Sequence, residues 1–355
     1  METKAAGLAT RETTARSANL RVVAIGGGTG LSTLLKGLKR FVVSPADVPS
    51  TGPGAPVIRD LSAVVTVSDD GGSSGRLRKE LNMLPPGDIR NCIVALSEDE
   101  ALLSKLFRHR FDKGSGLEGH SFGNLFLAAL TSLTSDFSEA VRLSSEILLT
   151  RGHIYPATTS NIELEAMMED GTRVRGETKI TASKGRIKEL SLVPPDVDPM
   201  PQTLEAIANA DLITIGPGSL FTSLIPNLLV KGISQAIVES KATKVYICNL
   251  MTQANESLGL TAADHIRALN SHAQCQIFDY ALLNRTPASE EMKAKYELEG
   301  ACQIVNDLDA VEAMGVIPVL GDYLEEAGVA RHNFTRAAND VLELAMEHPS
   351  EARDS

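Results

Sequence analysis

Paired cysteines and long apolar runs are both missing from this 355-residue sequence. The four cysteines form no CxxC pair and no metal-type spacing, which argues against a disulfide framework and a structural zinc site. No uninterrupted apolar stretch reaches the length of about 20 residues that a membrane-spanning helix needs. The polar segment 1–19 lacks the apolar core of a signal peptide, and we expect it to be a mobile tail. A cytoplasmic protein without membrane insertion is therefore expected.

An excess of basic residues is missing as well. The sequence has 34 Lys and Arg against 45 Asp and Glu, so its formal net charge is −11. Because nucleic acids attract basic surfaces, no nucleic-acid partner is expected. The sequence also contains neither the GxSxG elbow of a serine hydrolase nor a cysteine beside His120. We therefore favour a hydrogen-bonding or structural role for this histidine, with a catalytic base as the alternative.

Glycine, in contrast, is concentrated where two short apolar runs end. The run 20–25 leads into Gly26, Gly27, Gly28, Thr29 and Gly30, and the run 61–67 leads into Ser68, Asp69, Asp70, Gly71, Gly72, Ser73, Ser74, Gly75 and Arg76. Glycine lets backbone N–H groups approach an anion, and the following helix adds the positive end of its dipole. Two such junctions predict a phosphate-bearing ligand across the carboxyl edge of a parallel sheet. The GGGTG loop departs from the GxGxxG of dehydrogenases, which weakens the case for an NAD(P)-dependent enzyme.

The adjacent Asp69 and Asp70 allow three interpretations. Acids at this position can bind ribose hydroxyls, they can hold a divalent cation against a diphosphate, or they can simply form a turn. The hydroxyls of Ser73 and Ser74 and the guanidinium of Arg76 suit phosphate. These neighbours favour ligand binding over a plain turn.

Further polar clusters follow predicted strands or open predicted helices. Their candidate ligand-binding residues are Asp88, Asn91, His120, Asn124, Gly216, Gly218, Ser219, Asn249 and Thr252. An ion pair between Asp88 and Arg90 and an N-cap formed by Ser121 are the alternative, structural interpretations. Because the carboxyl ends of parallel strands meet at one edge, these clusters together predict a single crevice.

The order of apolar runs and helical patterns predicts a Rossmann-like, three-layer α/β/α fold with a doubly wound, mainly parallel sheet. Short alternating runs over about 153–195, with a turn at Asp170-Gly171, predict a small antiparallel β insertion. Helices are predicted over 101–111, from Asp136 through 148, from Thr261 onward and over 335–346. We expect a single domain over 20–348 between tails at 1–19 and 349–355.

Six long segments carry a family resemblance. They are IGGGTGLSTLLKGLK, VTVSDDGGSSGRLRKEL, PPGDIRNCIVAL, GHSFGNLFLAALT, IGPGSLFTSLIPNLLVKGI and KVYICNLMTQ. These segments closely resemble the YvcK-type gluconeogenesis factors, which belong to the superfamily of the 2-phospho-lactate transferase CofD. The resemblance runs from about residue 20 to Arg331-His332.

The resemblance implies binding of a nucleotide sugar, UDP-N-acetylglucosamine in YvcK-type members. It also implies that Tyr296, in KYELEGA, and Arg331 contact this ligand; helix packing and a surface charge are the alternative roles. The sequence departs from the family at Ala254-Asn255-Glu256-Ser257, where Pro-Gly-Glu-Thr is usual, and the proline-rich segment 44–56 resembles an insertion.

We therefore interpret the chain as a cytoplasmic regulator that binds a UDP-sugar and links central carbon metabolism to cell-wall homeostasis and cell shape. No catalytic residue or metal ligand is assigned, and the candidate partners are cell-wall synthesis proteins and a second copy of the chain. The alternative is a CofD-type transferase, which moves a phosphate-linked group from an activated nucleotide to an acceptor with a divalent cation.

Overall fold

The computed structural model describes residues 19–43, 57–98, 102–183, 185–254 and 256–347. The strands are β1 (Asn19–Gly26), β2 (Val57–Val65), β3 (His153–Pro156), β4 (Glu163–Met168), β5 (Arg173–Arg175), β6 (Ile187–Val193), β7 (Leu212–Ile215), β8 (Thr243–Ile247), β9 (Tyr280–Asn284), β10 (Ile317–Gly321), β11 (Leu324–Glu326) and β12 (Ala330–His332). The predicted tails and the proline-rich segment lie outside the described residues, apart from Asn19, which begins β1.

The helices lie between these strands and, as α14, after the last of them. They are α1 (Gly28–Leu38), α2 (Gly72–Leu81), α3 (Gly87–Leu96), α4 (Leu102–Arg108), α5 (Phe122–Thr134), α6 (Phe137–Ile147), α7 (Glu177–Ala182), α8 (Pro201–Asn209), α9 (Ile225–Leu228), α10 (Ile233–Glu239), α11 (Ala262–Ala273), α12 (Glu290–Glu297), α13 (Leu308–Glu312) and α14 (Phe334–Glu347). Short 3-10 and π-helical turns cover Lys39–Phe41 and Leu220–Leu224.

Seven parallel strands form the central sheet in the order β10-β9-β8-β7-β1-β2-β3. The chain builds the sheet outward from β1 in one direction through β2 and β3, and then in the other from β7 through β10. The strand order therefore reverses between β1 and β7, where open α/β sheets bind their ligands. All four residues of β7 are buried, as expected for a strand with helices on both faces. The predicted Rossmann-like, doubly wound fold is confirmed.

The antiparallel insertion is present, but it begins later than predicted. β4 pairs with both β5 and β6 in a separate three-stranded sheet, and the turn at Asp170-Gly171 joins β4 to β5. β3, which we assigned to the insertion, instead pairs in parallel with β2 at the edge of the central sheet. The apolar–polar alternation of so short a strand does not reveal which neighbour it pairs with.

The predicted starts of the helices agree with the structure better than their predicted ends. Asp136 caps α6 through the N–H of Glu139, and Thr261 and Asp264 form a complete capping box on α11. The helix predicted over 101–111 is described only as α4, from Leu102 to Arg108. No single helix in the described part of the chain is long and apolar enough to cross a membrane, although one strongly bent pair, 220–228 with 233–239, reaches that length and composition together.

Candidate functional site

A cavity of about 710 Å³ opens at the carboxyl edge of the central sheet. Its floor consists of the loops that follow β1, β7 and β8, so it spans the point at which the strand order reverses. Its walls come from α7 of the insertion, from α12, and from the segment that contains β12. Parallel strands lie about 4.8 Å apart, and the ends of β1 and β8, whose loops form the floor, are two spacings or roughly 10 Å apart. This floor, extended by the walls, suits a ligand of several linked groups.

The loop after β1 contacts the loop after β7 directly. A Cβ atom on Gly30 would overlap the carbonyl oxygen of Pro217, so only glycine permits this backbone approach. Gly28 has φ +60°, and helix α1 starts at this residue. Asn249, after β8, clamps Gly218 through two hydrogen bonds, 3.1 Å to its N–H and 2.7 Å to its carbonyl oxygen. Three strand ends are thereby joined into one cradle of backbone amides.

The wall beyond β8 carries the aromatic and cationic side chains implied by the family resemblance. The Tyr296 hydroxyl accepts a hydrogen bond of 3.2 Å from the N–H of Ala330, while Arg331 is exposed at the cavity edge. His332 also lines the cavity, and its Nε2 donates to the carbonyl oxygen of Cys248 at 3.0 Å. Burial lowers the pKa of His332 to about 4, so this ring is neutral at physiological pH. Its Nδ1 is therefore an acceptor.

Carboxyl groups dominate the wall on the β2 and α7 side. Burial raises the pKa of Asp88 to about 6, and the neighbouring Asp69 adds to this shift. Burial and the charges of Asp69, Asp88 and Asp70 raise the pKa of Glu177 to about 9. Burial also raises the pKa of Glu256. One side of the cavity is thus rich in carboxyl groups, and the other carries a guanidinium.

Glu177 and Glu256 were not among the predicted ligand-binding residues. The sequence shows Glu177 only inside the RGETKI run of the insertion, and Glu256 only within the departure from the family pattern. Glu177 lies in the insertion, which folds over the sheet edge and brings its carboxyl group to the cavity. Glu256 lies in the loop that follows β8, so its place after a strand of the central sheet is the signal that could have identified it.

The loop after β2 does not line the cavity, although its residues were predicted to do so. The Asp69 carboxylate accepts a hydrogen bond of 2.8 Å from the N–H of Gly71. The Asp70 carboxylate accepts from both the N–H and the hydroxyl of Thr178, at 2.8 and 2.5 Å. Asp70 therefore fastens the start of α7 to the central sheet.

The serines of this loop belong to a buried polar network behind the cavity. The Ser73 hydroxyl lies 2.9 Å from Nδ1 of His120 and accepts a hydrogen bond of 3.1 Å from the Asn124 side chain. Arg90 donates to Ser121, Asn124 and Asn91. Burial and the charge of Arg76 lower the pKa of His120. These contacts match the hydrogen-bonding or structural role that we favoured for His120, and the N-cap by Ser121 on α5 is present.

The predicted ligand-binding residues thus fall into two sets. Those that line the cavity are Gly27, Gly28, Thr29, Gly30, Asp88, Gly218, Ser219, Asn249, Thr252, Tyr296 and Arg331. Those that lie outside its lining are Gly26, Asp69, Asp70, Ser73, Ser74, Arg76, Asn91, His120, Asn124 and Gly216. Ligand contact remains a prediction for both sets.

The carboxyl groups of the wall on the β2 and α7 side are the candidate ligands for a metal ion. Within the described ranges, no three His, Cys, Asp or Glu side chains are grouped so as to hold a metal ion. Mg²⁺, however, is commonly held by one or two carboxylates together with substrate phosphates and water. Asp69 is close enough to Asp88 to raise its pKa, and Asp88 lies beside Gly27 of the glycine loop after β1. These two carboxyl groups fit a cation that arrives with a phosphate ligand.

Comparison with known proteins places this geometry in a family context. A sequence profile described as 2-phospho-L-lactate transferase CofD matches residues 22–324. A gluconeogenesis factor from Halalkalibacterium halodurans is 49% identical over 324 residues, which is 91% of this chain and 95% of the relative. The gluconeogenesis factor of Bacillus subtilis is 47% identical over 329 residues, covering 92% of this chain and 98% of its own length.

A solved structure agrees with the fold over the same region. The crystal structure of a UPF0052 family member from Bacillus halodurans has a TM-score of 0.85 and 48% sequence identity to this chain. The alignment covers 91% of this chain and 99% of that structure.

Proposed function

This chain belongs to the family of the 2-phospho-L-lactate transferase CofD, and we propose that it is a nucleotide-sugar-binding regulator of carbon metabolism. Its ligand would be a UDP-sugar of the UDP-N-acetylglucosamine type. The relatives named gluconeogenesis factor support the metabolic part of this proposal. The further link to cell-wall homeostasis and cell shape rests on the resemblance to YvcK-type members.

The contact between the two glycine loops is the observation that carries the binding proposal. Gly30 and Pro217 bring two strand-end loops together at the reversal of strand order, where backbone N–H groups can surround a diphosphate. Arg331 stands at the same cavity and supplies a positive charge for phosphate, and Tyr296 supplies a ring beside it. A UDP-sugar contains each of these partners: a diphosphate in its centre and a base and a sugar at its ends.

Calorimetry on the full chain tests this proposal. UDP-N-acetylglucosamine should bind the wild-type protein, and Arg331→Ala should weaken binding roughly tenfold or more, as expected for loss of a charge-assisted hydrogen bond. Arg142→Ala is the matched control, because Arg142 is an exposed arginine on α6 that pairs with Glu139 and does not line the cavity. Equal affinities for Arg331→Ala and wild type, or no binding by wild type, would contradict the proposal.

A CofD-type transferase is the second candidate, and the crowding of carboxyl groups favours it. The charge of Asp69 disfavours ionisation of Asp88, which lies beside the glycine loop, and a divalent cation bound with the phosphates would relieve this repulsion. Such a cation would stabilise charge that develops on a leaving phosphate. The acceptor would be a small molecule in the same cavity.

The two candidates differ in what happens to the nucleotide. A regulator leaves UDP-N-acetylglucosamine intact when it is incubated with the purified protein and Mg²⁺, as followed by chromatography and mass spectrometry. Metal-dependent consumption of a nucleotide substrate that Asp69→Asn abolishes would favour the transferase. Glu290→Gln, on the exposed first turn of α12, is the matched control for loss of one acidic charge.

A further inference from the structure

Two buried acceptor atoms of the cavity lining have no hydrogen-bond partner among the described residues. They are Oε2 of Glu256 and Oε1 of Gln253. The Glu256 side chain is only 5% exposed. A buried polar atom without a partner costs about 1–3 kcal/mol, so its presence in a ligand cavity calls for an explanation.

Both side chains are held in place through their other polar atom. Oε1 of Glu256 accepts from the hydroxyl of Thr222 at 2.9 Å and from that of Thr181 at 3.4 Å. Nε2 of Gln253 donates to the Ser219 hydroxyl at 2.9 Å. Because Oε1 of Glu256 is held by two hydroxyls, its Oε2 cannot turn away without breaking these contacts, and Gln253 keeps its second polar atom at the cavity lining. Oε2 of Glu256 is therefore the better preorganised of the two acceptors.

These atoms require hydrogen-bond donors from a ligand. The oxygens of a fully ionised diphosphate only accept hydrogen bonds, so the phosphates cannot satisfy Glu256 or Gln253. Sugar hydroxyls, in contrast, each carry a donor. The chemistry of this wall thus selects a polyhydroxylated group.

From this arrangement we infer that Glu256 and Gln253 form the sugar subsite of the cavity and that Glu256 selects the sugar hydroxyls. The inference rests on the proposed binding of a UDP-sugar. Glu256 is hydrogen-bonded to Thr181 of α7 and to Thr222 in the turn that follows β7, beside the glycine loops. Arg331 and Tyr296 follow β9 in the chain and lie on the opposite wall of the cavity. The ligand therefore lies with its diphosphate between the glycine loops and Arg331, its sugar toward α7 and its base toward Tyr296.

A comparison of UDP with UDP-sugars on the full chain tests the assignment. Glu256→Gln keeps Oε1 for Thr222 and replaces the unsatisfied acceptor Oε2 with an NH₂ donor. We expect this change to weaken UDP-N-acetylglucosamine binding roughly tenfold, the loss of one hydrogen bond in a buried site, and to leave UDP binding nearly unchanged. Glu290→Gln is the control, because Glu290 is an exposed carboxylate of α12 that does not line the cavity.

A ligand-side series avoids any effect of the substitution on folding. UDP-glucose and its monodeoxy analogues are titrated against wild type and Glu256→Gln. One sugar hydroxyl should donate its hydrogen bond to Glu256. Removal of this hydroxyl should weaken binding to wild type but not to Glu256→Gln, because the two changes remove the same contact. Equal losses at every hydroxyl in both proteins would overturn the assignment.

The remaining outcomes separate this inference from the proposed function. Equal weakening of UDP and UDP-N-acetylglucosamine by Glu256→Gln would overturn the sugar subsite, because Glu256 would then act on the UDP part of the ligand or on the loop itself. UDP binding with no contribution from the sugar would overturn the subsite alone. Absence of both UDP and UDP-sugar binding to wild type would overturn both proposals. Sugar selectivity that disappears in EDTA would also overturn the inference, because the acceptors would then hold a cation.

Discussion

The loop after β1 and the loop after β2 leave neighbouring strands of one sheet, yet they have different surroundings. Residues 27–30 of the first loop line the cavity, whereas none of residues 68–76, all of them described, does so. The polar groups of the second loop are bonded within the protein: Asp70 to Thr178, and Ser73 to His120. The backbone of the first loop instead faces the cavity.

The cause lies in what covers each strand end. β1 stands at the reversal of strand order, so the connections that leave β1 and β7 diverge and open a crevice. The end of β2 is covered by α7 of the insertion and by the start of α5. A glycine-rich strand end thus becomes a ligand site only where neighbouring elements leave its polar groups to a ligand.

Substitution of Gly30 should have the largest effect. In Gly30→Ala the new methyl group overlaps the carbonyl oxygen of Pro217, and neither backbone can move without opening the contact between the two loops. We expect a loss of about 3 kcal/mol in the free energy of unfolding, the upper range for overpacking. Urea denaturation followed by circular dichroism measures this loss, and UDP-N-acetylglucosamine binding should weaken with it.

Gly71→Ala is the corresponding change in the second loop. Its Cβ would have ordinary contacts of 3.4 Å with Asp69 and Thr178, and Gly71 has a negative φ of −91°. The expected cost is below about 1 kcal/mol, as for other changes at a glycine N-cap. Equal destabilisation by Gly30→Ala and Gly71→Ala would remove the distinction between the two loops.

Substitution of Ser73 should have an intermediate effect, on stability alone. In Ser73→Ala, Nδ1 of His120 loses its partner and the Asn124 amide loses one acceptor, all within a buried network. We expect about 2 kcal/mol of destabilisation from these unsatisfied groups and no change in UDP-N-acetylglucosamine affinity. Parallel denaturation and calorimetry would measure both quantities.

The comparison for Ser73→Ala is Ser219→Ala in the cavity lining. Ser219 orients Gln253, so its loss should reduce affinity more than stability. If Ser73→Ala reduced affinity while stability stayed at the wild-type value, Ser73 would belong to the ligand site and the buried network would have a binding role.

The parts of the site that could be predicted from the sequence are those built from elements that follow one another directly along the chain. A buried strand, a glycine turn and a helix follow one another at β1 and at β7, so their meeting at one sheet edge follows from the topology. The position of Glu177 could not be predicted in this way, because it depends on how the insertion folds over the sheet, a long-range contact without a local signature. Glu256 follows β8 in the same loop as Asn249 and Thr252, so the topological argument also covers its position.

The same limit explains why the serines and acids of the second loop were predicted to line the cavity, although they lie outside its lining. Their residue types suit phosphate, but the same hydroxyls and carboxylates also suit Thr178, His120 and Asn124, which are 47 to 108 residues away in the sequence. Composition cannot distinguish a partner within the protein from a ligand, because both offer the same hydrogen bonds.

Removal of divalent cations should have the smallest effect on nucleotide-sugar binding. An oxygen of Asp69 and one of Asp70 are already hydrogen-bonded within the protein, while glycine-loop amides and Arg331 are available for a diphosphate. We therefore expect the Kd for UDP-N-acetylglucosamine to differ by less than about twofold between buffers with Mg²⁺ and with EDTA, since cation-dependent sites need carboxylates free to coordinate. A larger loss in EDTA that Asp69→Asn reproduces and Glu290→Gln does not would show that the second loop binds a cation together with the ligand. The two loops would then act on one diphosphate, the first through its amides and the second through a metal, and the transferase would become the better account of this cavity.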